Sequence, residues 1–205
     1  MDQDARPEPE MLLRQARMKN GAALGQLLEL HRSYLALLAR LQIGRRLQGK
    51  VDAADLVQET FLEAHRHFTL FHGSTKEAFA GWLREILAGR LAKLVRHYFG
   101  TRRRDVRLEQ ALAAELEQSS QVLDRGFLAP SSSPSQQAAR REEAVLLAAA
   151  LEQLPEDYRE VLILRHLESL SFPGVARRMG RTVESVKKLW ARALPRLHDL
   201  LGGPS

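Results

Sequence analysis

Ser171-Phe172-Pro173-Gly174-Val175-Ala176-Arg177-Arg178-Met179-Gly180-Arg181-Thr182-Val183-Glu184-Ser185-Val186-Lys187-Lys188 decides how the C-terminal part of this chain folds. The residues before and after Gly180 each carry helical periodicity, and Gly180 stands where a tight turn demands positive φ. Ala176 is small at the point where two helices would cross. Val175, Met179, Val186 and Trp190 supply the apolar positions that lock the pair, so Met179 and Trp190 read as core residues rather than ligands. Thr182 is placed to cap the second helix, whose outward face carries Glu184, Ser185, Lys187, Lys188 and Arg192. Such a helix enters a major groove with its N-terminal residues toward base edges and its basic residues toward phosphates. Between Ala176 and Arg196 the cations Arg177, Arg178, Arg181, Lys187, Lys188, Arg192 and Arg196 stand against Glu184 alone, a local surplus of +6. A face of one sign to this degree argues against an ordinary helical hairpin with a solvated surface.

Upstream, the pattern stays helical, with no β-branched alternation and no Asn-Gly or Asp-Gly turn. Leu24, Leu27, Leu28, Tyr34, Leu35, Leu38 and Leu41 predict one helix from about Ala22 to Ile43. A second follows Asp52 as its N-cap and carries Leu56, Val57, Phe61, Ala64 and Phe68. Gly73-Ser74-Thr75 interrupts. A third helix sets Phe79, Trp82, Leu83, Ile86, Leu87, Leu91, Leu94 and Val95 on one face before Gly100 closes it. Gln118 to Gln137, with Ser119-Ser120 and Pro130-Ser131-Ser132-Ser133-Pro134-Ser135, reads as a flexible linker. Beyond it, helices are expected at 139–154, 156–167, 171–179 and 182–200, with Pro195 kinking or limiting the last. The expected fold is all-α: two small helical domains joined by a flexible linker, the C-terminal one a helix-turn-helix.

The N-terminal half carries two faces of opposite sign. Asp52, Asp55 and Glu59 fall at i, i+3 and i+7 with Gln58 alongside, an acidic stripe suited to a basic protein partner. From Trp82 to Arg107 the cations Arg84, Arg90, Lys93, Arg96, Arg102, Arg103, Arg104 and Arg107 outnumber Glu85 and Asp105 by six. Beside them lie Phe68, Phe71, Phe79, Trp82, Tyr98 and Phe99, with His67, His72 and His97. Aromatic rings interleaved with cations suit a single-stranded nucleic acid, and the Gly73-Ser74-Thr75 loop offers backbone donors that could close on one unstacked base. Phe79 and Trp82 read as core within that cluster. No spacing among the histidines, such as His65, His67 and His72, makes a metal site.

Several classes of protein are excluded. The 205 residues contain no cysteine, hence no disulfide framework and no thiolate chemistry. The longest apolar run, the eight residues Ala144–Leu151, is far short of the roughly 20 that span a bilayer. Met1–Glu10 is polar and holds two prolines, so no signal peptide is visible and a cytoplasmic protein is expected. No glycine-rich phosphate loop and no paired acid–base constellation occurs, so neither cofactor nor covalent catalysis is expected. The chain's net charge of +6 is the sum of these two +6 clusters and a remainder of −6. From these residues alone, a helix-turn-helix regulator with an N-terminal dimerisation or sensor domain stays open.

The order Asp-Ala-Ala-Asp-Leu-Val-Gln-Glu-Thr-Phe-Leu (52–62), Phe-His-Gly-Ser (71–74), Phe-Ala-Gly-Trp-Leu (79–83), a basic helix, a linker, Leu-Pro-Glu-Asp-Tyr-Arg-Glu-Val-Leu (154–162) and the helix-turn-helix resembles bacterial RNA polymerase sigma factors. The two-domain brevity is similar to the extracytoplasmic-function (ECF) group of the sigma-70 family. The resemblance implies an N-terminal tail at 1–20, region 2 at 21–107, a linker at 108–139 and region 4 at 140–205. It implies that Asp52, Asp55, Leu56, Val57, Gln58, Glu59 and Leu62 dock on the clamp helices of the largest subunit of core RNA polymerase. Phe68, Phe71, His72, Gly73, Ser74, Thr75, Trp82, Arg90, Lys93, Arg96, His97 and Tyr98 would melt and hold the promoter −10 element, the 71–75 loop receiving a flipped base. Arg178, Arg181, Thr182, Glu184, Ser185, Lys187, Lys188 and Arg192 would read the −35 element as duplex. Many relatives carry an Asn and an Asp where this helix reads Gly89-Arg90-Leu91-Ala92-Lys93, a departure that touches −10 preference. About twenty flexible residues span roughly 25 Å and reach roughly 70 Å when taut. Sites two helical turns apart lie about 70 Å from each other, so the free protein is expected to bind promoters weakly. Both basic faces must be open to work, which makes an acidic or amphipathic anti-sigma factor an expected partner.

Overall fold

A computed structural model describes residues 8–46, 51–99, 106–124 and 134–202. The chain divides into two units, residues 1–118 and 119–205. All regular structure among the described residues is helical, and no helix there is long and apolar enough to cross a membrane.

The N-terminal unit begins with α1 (Pro9–Arg17), where a tail is expected from sequence. Proline at the first helical position suits the start of a helix, and Leu12, Leu13 and Ala16 then bury one short face against α2 (Gly21–Leu30). Lys19 takes a left-handed φ of 63°, and Asn20 caps α2 by accepting from the backbone N–H groups of Ala22 and Ala23. The single helix expected over 22–43 is broken at His31, between α2 and α3 (Arg32–Arg46). The buried imidazole Nδ1 bonds the Leu27 carbonyl at 2.9 Å. The His31 N–H turns instead to Leu28, so a side chain has taken the acceptor that a continuing helix needs.

Asp52 caps α4 (Ala53–His67) as the sequence predicts, accepting from Ala54 at 2.9 Å. A 3-10 turn at Phe68–Leu70 leads to the 71–75 loop, and Thr75 accepts from Ala78 to start α5 (Lys76–Phe99). Leu27, Leu35, Leu38, Val57, Phe79, Leu83 and Leu87 are fully buried and form the core. Gly100 and Arg102–Arg104 lie outside the described residues.

The expected linker differs most from the structure. Residues 118–124 belong to α6 (Val106–Asp124) and residues 134–137 to α7 (Pro134–Gln153). Leu108, Leu112 and Leu116 recur at four-residue spacing, and Leu112, Leu116, Ser119, Ser120 and Leu123 are buried. The stretch Pro130–Ser133 lies outside the described residues.

In the C-terminal unit, α7 is followed by α8 (Glu156–Leu162), a π-helical turn (Ile163–Leu167), α9 (Phe172–Met179) and α10 (Val183–Leu200). Both α8 and α9 pack on α10, burying Val161, Leu162, Val175, Val186, Ala193 and Leu197. Pro195 does not end α10. It sits on the exposed face, where water can satisfy the carbonyl that its missing N–H leaves unbonded.

Candidate nucleic-acid and polymerase interfaces

On α4 the acidic stripe is solvent-facing: Asp52, Asp55, Gln58 and Glu59 are exposed, and Leu62 adds an apolar side chain left 49% exposed. Leu56 and Val57, included in the expected polymerase contact, are 1% and 0% exposed. Helical spacing turns them to the opposite face, where they are core.

The aromatic residues expected to meet unpaired bases meet one another. Phe71 lies 5.1 Å from Trp82 and 5.5 Å from Phe79, and Phe68 lies 6.3 Å from Trp82, all between ring centroids. Phe79 is core as expected, whereas Phe68 and Trp82 are half-buried. Phe71 is 8% exposed, so its ring is a structural member of this cluster and not a free stacking platform. His72, Ser74 and Thr75 are exposed beside it. Gly73 has no room for a side chain: a Cβ would stand 2.6 Å from the Phe71 ring and 2.7 Å from the Ala78 Cβ.

The basic helix is partly neutralised within its own unit. Arg90 donates to Glu63 at 2.7 Å and lies 3.7 Å from Glu59 of the acidic stripe. Arg96 donates to Glu109 at 3.0 Å, and Arg84 donates to Glu117 at 2.6 Å and to the Tyr34 hydroxyl at 2.9 Å. Arg90 and Arg96, expected to contact DNA, are therefore held by carboxylates of α4 and α6. A phosphate would have to displace these at the cost of a charge-assisted hydrogen bond. Lys93, His97 and Tyr98 remain exposed on the same helix. Composition had no means of revealing these pairings, because the partners lie 13 to 33 residues away in sequence.

In the C-terminal unit the turn between α9 and α10 is built as its residues require. Gly180 has φ 63°, its N–H donates to Arg177, and the Arg181 N–H donates to Ala176 at 3.0 Å, the paired closure of a Schellman motif. Thr182 caps α10 by accepting from Ser185 at 3.2 Å. Trp190 donates through Nε1 to His166 Nε2 at 3.0 Å and packs edge-on against Phe172. Burial pushes the His166 imidazole below its ordinary pKa, with the Arg165 charge adding to the effect. Glu184, Lys187, Lys188 and Arg192 are exposed along one side of α10, with Ser185 half-buried among them. Arg181 donates to Asp157 at 2.6 Å, and Arg178 stands 3.8 Å from Glu168, so both keep partners while remaining accessible.

A helical unit with an acidic face, and a second that sets a basic helix behind a tight turn, present surfaces of opposite sign, one suited to a basic protein and one to a polyanion. Known families agree. The Sigma-70 region 2 family matches residues 30–99, and the Sigma-70, region 4 family matches residues 144–197. The chain is 30% identical over 195 residues to the RNA polymerase sigma factor CnrH of Cupriavidus metallidurans, covering 95% of each. It is likewise 30% identical over 142 residues to the ECF RNA polymerase sigma-E factor of Escherichia coli, covering 69% of this chain and 70% of that one. A solved structure of CnrH in complex with the cytosolic domain of CnrY is 27% identical and covers 96% of this chain and 99% of that one, at a TM-score of 0.34. The assignment rests on the sequence matches. The chain belongs to the ECF group of RNA polymerase sigma factors, which is not a class of enzymes. As a member it acts in transcription initiation, with core RNA polymerase and promoter DNA as its partners.

Proposed function

We propose that the N-terminal unit docks on the clamp helices of the polymerase largest subunit through Asp52, Asp55, Gln58, Glu59 and Leu62 and captures the −10 element as it melts. His72, Gly73, Ser74 and Thr75 receive an unpaired base. Phe68 and Trp82 border them, while Lys93, His97 and Tyr98 meet the strand. The C-terminal unit reads the −35 duplex through Arg178, Arg181, Thr182, Glu184, Ser185, Lys187, Lys188 and Arg192. Melting draws on the capture of unpaired bases by stacking and by contacts to the strand. The observation that carries this reading is the division of sign between two exposed helix faces, acidic on α4 and basic on α10. CnrH is described with the cytosolic domain of CnrY bound, and an anti-sigma factor that covers the exposed faces is proposed as a regulatory partner here.

Run-off transcription with core polymerase on genomic fragments tests the reading. Promoter-specific transcripts are expected with the chain and none without it. Asp55→Ala should weaken assembly with core, and Lys187→Ala should weaken promoter engagement while assembly is retained. Tight, specific duplex binding by the chain alone would contradict the prediction that polymerase sets the spacing of the two DNA-reading units.

A further inference from the structure

The loop at 71–75 is pinned at three points. The Phe71 ring is fixed in the aromatic cluster, and Thr75 caps α5. Between them, Arg17 of α1 donates from its guanidinium to the Gly73 carbonyl, and its Cζ lies 6.0 Å from the Phe71 ring centroid. Gly73 could not approach so closely with a side chain, because its Cβ position is already filled by the Phe71 ring and Ala78. His72 and Ser74, the residues on either side of the held carbonyl, are exposed.

A planar guanidinium can satisfy a carbonyl and lie over a ring together, which an ammonium cannot do with the same geometry. Arg17 itself is exposed, and the buried side of α1 is formed by Leu12, Leu13 and Ala16. The helix is therefore held to its unit without Arg17, which leaves the arginine's contacts to act on the loop. We infer that Arg17 is a positioning residue for base recognition: by holding the Gly73 carbonyl it sets the conformation in which His72 and Ser74 meet an unpaired base. The inference rests on the reading of 71–75 as the base-receiving loop.

The test uses the full chain assembled with core polymerase and a pool of single-stranded DNA oligonucleotides carrying a randomised stretch. The wild-type holoenzyme should enrich a defined sequence. With Arg17→Ala, the preference at one base position should flatten, and the wild-type-selected oligonucleotide should bind about tenfold more weakly, the scale of losing one well-held stacked base. Arg17→Lys should recover part of the preference, and assembly with core and the unfolding midpoint should match wild type for both variants. Retention of the wild-type profile by Arg17→Ala would overturn the inference. So would equal weakening at every position together with a lowered unfolding midpoint, which would mark a purely structural arginine. If the wild-type holoenzyme itself enriches no sequence, the base-receiving loop is the reading that fails, and the role of Arg17 falls with it.

Discussion

Arg84, Arg90 and Arg96 of the N-terminal unit have side chains only 15%, 17% and 18% exposed, each against a carboxylate, whereas Arg178 and Arg181 of the C-terminal unit keep 49% and 40% exposure. Lys187, Lys188 and Arg192 are exposed as well. The two clusters carry the same formal surplus but use it differently. In the first, Arg84, Arg90 and Arg96 tie α5 to α4 and α6 through ion pairs whose hydrogen bonds hold their geometry. In the second they project a field into solvent that draws a polyanion and weakens with salt. Counting charge along a sequence finds both clusters and cannot tell them apart.

The comparison breaks most visibly through stability. Arg90→Ala removes the tightest partner of Glu63, leaves it the exposed Arg66 at 3.8 Å and His67 at 3.3 Å, and should cost about 1–2 kcal/mol in urea denaturation. The same truncation at Lys187 should stay within about 0.5 kcal/mol. A larger loss at Lys187 than at Arg90 would invert the two roles. Gly180→Ala comes next: a Cβ there meets open space, so the cost is that of a left-handed alanine, about 1–2 kcal/mol, and Gly180→Asn should cost less. Through binding, Lys187→Ala should lower the slope of log affinity against log salt for holoenzyme on promoter duplex by about one, with little dependence on base sequence.

The smallest effect is a response to acid. Burial lowers the His31 pKa, the Leu27 hydrogen bond opposes this and the Arg84 charge adds to it. An imidazole whose folded pKa lies below its unfolded value takes up its proton more readily when unfolded. Its contribution to stability is therefore complete above the ordinary value of 6.5 and is lost as pH falls below it. The urea midpoint should decline on acidification through that range, and His31→Gln should flatten the decline.

Features set by neighbouring residues were legible in the sequence. Asp52 and Thr182 cap their helices, and Gly180 turns left-handed, because each answers a need within a few residues of itself. The break at His31 was hidden, since it depends on burial of a ring that contacts Phe79, 48 positions away. Serine content obscured α6, where Ser119 and Ser120 are buried within the helix, although the Leu108-Leu112-Leu116 spacing was a usable signal. The prolines obscured α1 in the same way. At the candidate sites, helical spacing correctly set the acidic residues of α4 outward. The same spacing sets Leu56 and Val57 inward, so only the resemblance put them in the polymerase contact, and spacing did not give Arg84, Arg90 and Arg96 their partners.

The chain's two tryptophans fall one to each unit, Trp82 in the aromatic cluster and Trp190 bonded to His166. Each unit thus carries a native optical probe, half-buried against its own side chains. Replacing either by phenylalanine leaves emission that reports on the other unit alone. A pair of single-tryptophan chains would then show, without any attached dye, whether the halves melt as one body or in succession, and which of them responds first when DNA is added.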